Sequence, residues 1–234
     1  MKILYFMLLS IITTLSASAI DYDRITIEDN VLKSIFNEER CDKVLNQHYY
    51  INCYDNTKKS STHLYYKLNK EIMNSGNIKE RPRFKEDNKV QRKYRITHSD
   101  YTNNGRSMDR GHILSNDSMN HNEKAQNSTF LMSNVVPMLD KVNQGRNSWL
   151  GIEMHERAMT NKHGTLEVLN YIIYTKKSEK MGKGPNKVLI PEAFVKKMWN
   201  KDRNYKECFF VKNKTPDNSK ISELRVDCSS LEGL

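Results

Sequence analysis

The sequence predicts an α+β fold, a mainly antiparallel central sheet flanked by helices. Strand-like and helix-like segments mix along the 234 residues without a regular βαβ alternation, which disfavours a parallel sheet. A hydrophobic fraction of 37% beside 28% charged residues suits a folded chain with a polar surface, not a polytopic membrane protein or a disordered one. No internal repeat, low-complexity tract or inner linker divides the chain, so one domain is expected over residues 20–234.

In chain order, Met1-Lys2, an apolar run from Ile3 to Leu15 and Ser16-Ala17-Ser18-Ala19 have the three parts of a secretory signal peptide cleaved after Ala19. The run is shorter than the ~20 residues that span a bilayer, and no later run approaches that length. A periplasmic or secreted product with no membrane anchor is therefore expected. Residues 20–40 read as a peripheral helix or arm. Tyr49 to Tyr54 and Thr62 to Leu68, rich in tyrosine and apolar or β-branched residues, read as two strands around the polar turn Asp55 to Ser61. Tyr101-Thr102-Asn103-Asn104-Gly105 signals a tight reversal. Asn147 to Thr160 reads as a helix capped by Asn147 or Ser148. Leu166 to Thr175 is strand-like and Gly182-Lys183-Gly184-Pro185 a loop. Val188 to Ile190 is a short strand, Ala193 to Trp199 a short helix, and Phe209 to Val211 one more strand.

Export makes the four cysteines legible as structural disulfides. Three connectivities are open on paper. Grouping into an early and a late pair favours Cys41–Cys53 with Cys208–Cys228, and the absence of any CxxC spacing argues against zinc. The net charge of +10 makes a polyanion the favoured partner on electrostatic grounds. Two stretches concentrate it: residues 79–95 carry +5 and residues 176–187 carry +4. Neither comes with a zinc-finger or helix-turn-helix signature, so contacts to a nucleic-acid backbone are expected rather than base readout.

Residues 109–153 hold the chemistry. Hydrolysing a phosphodiester requires an activated water, charge neutralisation at the phosphate and help for the leaving oxygen. A neutral histidine takes a proton from water near pH 7. A hard divalent ion accepts an asparagine carbonyl as ligand and keeps several waters, and arginine offers forked donors to phosphate. His112, Arg110, several asparagines and Glu153 supply these residue types.

Their arrangement is more specific. Asp109-Arg110-Gly111-His112 is the DRGH signature of the DNA/RNA non-specific endonucleases, the ββα-metal nucleases. Further motifs follow in that family's order. Ser128 to Pro137 resembles its TFYLSNVAPQ-like segment, Val142-Asn143-Gln144 its LNQ element, and Trp149-Leu150-Gly151-Ile152-Glu153 its WxxLE element. The distinctive core covers about residues 81–160.

The resemblance implies a metal-dependent, sugar-non-specific endonuclease acting on DNA and RNA without sequence specificity and leaving 5′-phosphate ends. It implies a ββα element that holds His112 as general base and Asn143 as the single protein ligand of Mg2+, with Mn2+ as an alternative. Glu153 would hold the metal's waters, Asn134 would orient the histidine region, and Arg110 would contact phosphate or pair structurally. Asp109 more simply anchors its loop. Relatives commonly form homodimers, so a homodimer is within expectation. The upstream phosphate-binding arginine matches either Arg81 or Arg83, and the register does not choose between them.

One departure bears on the metal. Asn143 and Trp149 are six apart where the family has four. On a single helix the ten residues from Asn143 to Glu153 turn about 1000°, leaving the two side chains about 80° apart. Asn143 must then lie on a bulge or a preceding turn, with Asn147 the fallback ligand. The glycosylation-type triplets at Asn116, Asn127 and Asn213 are read as incidental.

Overall fold

A computed structural model describes residues 24–102, 107–182 and 187–231. The expected signal peptide lies outside the described residues, as do Asn103 to Gly105 of the expected reversal and Lys183 to Pro185 of the expected loop. Helix α1 (Asn30–Ile35) follows an extended arm; Asp29 caps it, accepting from the amides of Val31 and Leu32 at 2.9 and 3.3 Å. Strands β1 (Lys43–Asn46), β2 (Tyr50–Asp55) and β3 (Ser60–Asn69) form a meander, closed by the single-turn helix α2 (Lys70–Met73). The expected strand–turn–strand over Tyr49 to Leu68 is this β2–β3 pair.

Residues 74–102 run mostly without regular structure, and β4 spans Met108–His112. Helix α3 (Glu123–Thr129) leads to β5 (Val135–Leu139), which among the described residues pairs with β4. Helices α4 (Asp140–Asn143) and α5 (Trp149–His163) come next. The chain then returns through β6 (Thr165–Ile173), the small pair β7 (Lys180–Met181) and β8 (Val188–Leu189), β9 (Ala193–Asn200), β10 (Tyr205–Lys212) and β11 (Arg225–Val226).

The main sheet has seven strands in the order β1-β2-β3-β6-β9-β10-β11, each antiparallel to its neighbours. Successive strand residues point to opposite faces, so the central strands build two cores. Leu64, Tyr66, Val168, Phe194, Met198 and Phe209 face α5 and the β4–β5 pair. Tyr65, Leu169 and Val195 face the N-terminal arm and α1. The disulfides Cys41–Cys53 and Cys208–Cys228 tie down the two ends of the sheet. By loop entropy each contributes about 3 kcal/mol.

One expected element is wrong in kind. Ala193 to Trp199 is not a short helix but most of the central strand β9, paired to β6 on one side and β10 on the other. Both faces of β9 are covered, so no apolar–polar alternation is visible in Ala-Phe-Val-Lys-Lys-Met-Trp. Its two lysines mislead further: Lys196 is fully buried, and the ammonium of Lys197 lies 5.6 Å from the Trp199 ring centroid.

Candidate active site

The β4–β5 pair presents the DRGH residues. His112 lies opposite Val135, Gly111 opposite Val136, Arg110 opposite Pro137 and Asp109 opposite Met138. A Cβ on Gly111 would come within 2.5 Å of the Met138 Cβ, so the approach of the strands requires glycine there. Pro137 fits because, among the described residues, β5 has a neighbouring strand on one side only.

Asn134 is fully buried and fastens the segment that follows His112. Its Oδ1 accepts from the Leu114 amide at 3.0 Å, and its Nδ2 donates to the carbonyls of Leu114 and Thr129 at 2.9 and 2.8 Å. The indole of Trp149, first residue of α5, donates to the His112 carbonyl at 3.0 Å and couples the strand to the helix.

The His112 ring sits in an aromatic wall, 5.2 Å from the centroid of Phe84 and 4.9 Å from that of Phe130. Arg110 lies over Phe84 at 5.2 Å and Arg81 over Phe130 at 5.4 Å, so each of the two rings packed against the imidazole carries a guanidinium. Burial pulls its pKa down to about 3, with Arg81 and Arg110 adding to the effect and Asp117 opposing it. The ring is therefore neutral at physiological pH. Among the described residues neither His112 Nε2 nor Arg110 Nε has a hydrogen-bond partner, although both are buried. Two orphaned polar atoms beside one another call for a polar ligand.

Asn143 ends the separate turn α4, so the extra residues form a loop before α5 and the 80° conflict does not arise. Asp109 accepts from Asn143 Nδ2 at 2.9 Å and from Gln144 Nε2 at 2.7 Å through one carboxylate oxygen. With its nitrogen so engaged, Asn143 keeps its carbonyl oxygen for a cation. Asn147 is exposed, and its backbone carbonyl accepts from Asn218. Ser148 holds the N-cap position of α5 without a side-chain cap bond.

Glu153 lies on the buried face of α5. Burial pushes its carboxyl up to about 8; Lys196 and Arg157 pull it back, and Glu156 and Asp117 push with the burial. One turn along, Glu156 is wholly buried, bonded to the ammonium of Lys196, to the Tyr66 hydroxyl at 2.6 Å and to the Ser118 hydroxyl at 3.0 Å. Lys196 also donates to the Tyr66 hydroxyl at 2.9 Å and lies 4.9 Å from the Trp149 ring centroid. This charged cluster pins α5 to the sheet beneath Glu153.

Arg157 escaped the sequence reading. It follows Glu153 by four residues on the same helix face, donates to Ser115 Oγ at 3.3 Å and stands 3.8 Å from Asp117. The i, i+4 offset from Glu153 was the available signal. Arg81, Asn116, Asp117 and Arg157 line a cleft of about 400 Å³ with Lys79 and Asn120. Arg83 is exposed and does not enter it. Asn116 is buried and Asn213 is bonded to the carbonyls of Pro137 and Pro191 at 3.0 and 2.9 Å, so neither suits a glycan.

A divalent ion suits the chemistry of these donors: Asn143 offers an oriented amide oxygen, and Glu153, whose buried carboxyl is neutral at pH 7 until a cation stands near it, offers hard oxygens to the ion's waters. Among the described residues no group of three His, Cys, Asp or Glu side chains could hold a metal. Water would complete its coordination.

The model of the DNA/RNA non-specific endonuclease family matches residues 27–234. Mitochondrial endonuclease G of Homo sapiens is 28% identical over 155 residues, 63% of this chain and 51% of the relative. The Caenorhabditis elegans counterpart is 29% identical over 121 residues, 48% of this chain and 38% of the relative. The chain thus spans about half the length of the curated relatives it matches. A crystal structure of the EndoG/EndoGI complex superposes with a TM-score of 0.71 at 21% identity, covering 88% of this chain and 90% of that one. That likeness is one of fold.

Proposed function

The chain belongs to the DNA/RNA non-specific endonuclease family, and on that premise we propose that it is an exported, metal-dependent endonuclease hydrolysing phosphodiesters of DNA and RNA without sequence preference. The observation that carries the reading is the neutral, buried His112, whose Nε2 has no hydrogen-bond partner among the described residues and on which the charges of Arg81 and Arg110 act. Two disulfides support an oxidising destination, in keeping with a cleaved N-terminal signal and a periplasmic or secreted product.

His112 Nε2 takes the proton from the attacking water. Its low pKa in the free protein is set by burial and the two arginines; a bound phosphate offsets the arginine charge and raises the basicity of the ring. Arg81 and Arg110 donate to the non-bridging oxygens of the phosphate, and Arg157 extends the cationic wall along the cleft. Asn134 keeps His112 in place through the backbone that follows it. Asn143 would be the single protein ligand of a magnesium ion and Glu153 would hold its waters, with Asp109 fixing the orientation of the Asn143 amide. When bound, the ion supplies charge neutralisation at the phosphate and at the leaving oxygen. The phosphate-binding role goes to Arg81 rather than Arg83, because Arg81 acts on His112 and lines the cleft.

The test is cleavage of supercoiled plasmid, single-stranded DNA and RNA by residues 20–234, with magnesium or with EDTA, beside His112→Ala. Metal-dependent nicking and linearisation are expected, with the variant slower by about 10²–10⁴-fold. Tight DNA binding with no cleavage in magnesium or manganese would overturn the enzyme reading and leave a DNA-binding protein.

A further inference from the structure

The cleft lined by Arg81 and Arg157 changes character along its length. At one end Arg81 lies over the Phe130 ring that packs against His112. On α5, Glu153, Arg157 and Asn161 follow at intervals of four residues, so one helix face passes from a carboxyl to a cation to a neutral amide. The segment from Asn74 to Arg81 supplies the other wall, with Asn74 and Asn77 at its start and Lys79 and Arg81 at its end. Asn74 Nδ2 donates to Asn161 Oδ1 at 2.8 Å, so the amide ends of the two walls coincide.

The second wall has no regular structure over residues 76–81, yet it is fixed. The Ile78 amide donates to the Asn120 carbonyl at 2.8 Å, and Gln126 Nε2 donates to the carbonyls of Ile78 and Glu80 at 3.3 and 3.0 Å. A Cβ on Gly76 would come within 2.2 Å of the His121 carbonyl oxygen, so this close approach requires glycine. Asn120 Nδ2 donates to Asn77 Oδ1 at 3.1 Å. Two bonds thus set three amides in place. Among the described residues they leave Asn77 Nδ2, Asn161 Nδ2 and Asn120 Oδ1 without a protein partner.

A second phosphate does not suit that end. The Asp117 carboxylate already stands 3.8 Å from Arg157, its other oxygen accepting from Asn116 Nδ2 at 2.7 Å, and the amides beyond are neutral. They suit a nucleobase. An amide carries a donor and an acceptor in one plane, as the edge of a base does. From Glu153 to Asn161 the helix rises about 12 Å, so a phosphate held by Arg81 leaves its nucleoside beside the amides. A cleft of about 400 Å³ has room for one unstacked base. Because each amide offers both a donor and an acceptor, the contact serves every base and imposes no sequence.

We propose that Asn77, Asn120 and Asn161 form a subsite for the base of the nucleotide flanking the scissile phosphate on one side. The inference rests on the nuclease reading for its ligand, but its binding arm does not need catalysis.

The experiment compares residues 20–234 with the double variant Asn77→Ala, Asn161→Ala, both at exposed positions. A control double variant, Asn30→Ala, Asn127→Ala, removes exposed amides outside the cleft. Thermal unfolding establishes that each variant folds. In EDTA, affinity is measured for a short thymidine strand and for a strand of equal length and charge built from abasic sugars. Each lost neutral hydrogen bond weakens binding about 5-fold, so the double variant binds the thymidine strand about 10–30-fold more weakly and the abasic strand within ~2-fold of wild type. The control matches wild type on both strands. Equal weakening on the two strands, no weakening on either, or an equal effect of the control overturns the subsite. In magnesium, cleavage is read on a strand whose one phosphodiester lies among phosphorothioates, with an abasic sugar placed on either side of that bond. On one side the abasic sugar raises the wild-type KM by a similar factor and leaves that of the double variant unchanged, with kcat moving less than about 3-fold. A base-dependent loss of binding without any cleavage by the wild type keeps the subsite and sinks the nuclease reading. Cleavage with no base-dependent effect of the double variant does the reverse.

Discussion

Removing the ammonium of Lys196 tests how helix α5 is held in register beneath the site. In Lys196→Met a straight chain of similar length replaces the lysine, so packing against Trp149 is largely kept. The Glu156 carboxylate loses its cation and retains the hydroxyls of Tyr66 and Ser118, at 2.6 and 3.0 Å. Stranding one partner of a buried pair costs about 3–5 kcal/mol. Two surviving charge-assisted bonds place the loss near the lower end, about 3 kcal/mol. For a chain of this size that corresponds to a Tm about 6–12 °C lower. Replacing both partners, Lys196→Met with Glu156→Gln, removes the stranded charge while the amide still serves both hydroxyls. The double variant is expected within about 1.5 kcal/mol of wild type. Thermal and urea unfolding of the disulfide-intact proteins at pH 7 gives both values. A single variant as stable as wild type, or a double variant as unstable as the single, would refute the account of the cluster as a paired buried charge.

Asp109→Ala frees the Asn143 amide to rotate, so the magnesium concentration for half-maximal cleavage is expected to rise about 10–100-fold with little change in unfolding temperature. Asn143→Ala is expected to abolish metal-dependent cleavage, whereas Asn147→Ala, at an exposed loop position, should lose less than ~3-fold in a plasmid assay. His63 is packed against Phe36 and Tyr171, and burial pulls its pKa from 6.5 to about 4. The folded state thus binds its proton later than the unfolded chain. The stability this gives is full above pH 6.5 and is lost as the pH falls toward 4. Between pH 7 and pH 5 the loss is about 2 kcal/mol, and His63→Phe should remove that part of the pH dependence in urea titrations.

The DRGH tetrapeptide and the ordered motifs after it were legible because each is a local string whose residues act through neighbours close in the chain. The β2–β3 pair and β6 were legible for a related reason, since their patterning and flanking turns are written within a few residues. Strand β9 was not: its lysines owe their burial and aromatic contacts to Glu156 and Trp199, and only the assembled sheet shows that Lys196 belongs in a core. Arg157 was overlooked because an arginine on a helix is ordinarily a solvated one; its company with Ser115 and Asp117 depends on how the loop after β4 folds back. The proposed preference for Arg81 over Arg83 likewise rests on placement across the fold, beside His112 and in the cleft, which no register of motifs contains.

The loop between Asn143 and α5 is braced from far along the chain. Asn218 bonds the Asn147 carbonyl, a Cβ on Gly151 would come within 2.8 Å of the Ile221 side chain, and the segment bearing both is returned to the sheet by β11 and the Cys208–Cys228 bridge. The proposed metal-holding corner is therefore finished by a residue 71 positions further along the chain. A nascent chain that has already placed His112, Asn143 and Glu153 still lacks the strut that spaces them. Stopping translation ahead of Asn218 would leave every proposed catalytic side chain in the product and take away the brace that sets the distance between them.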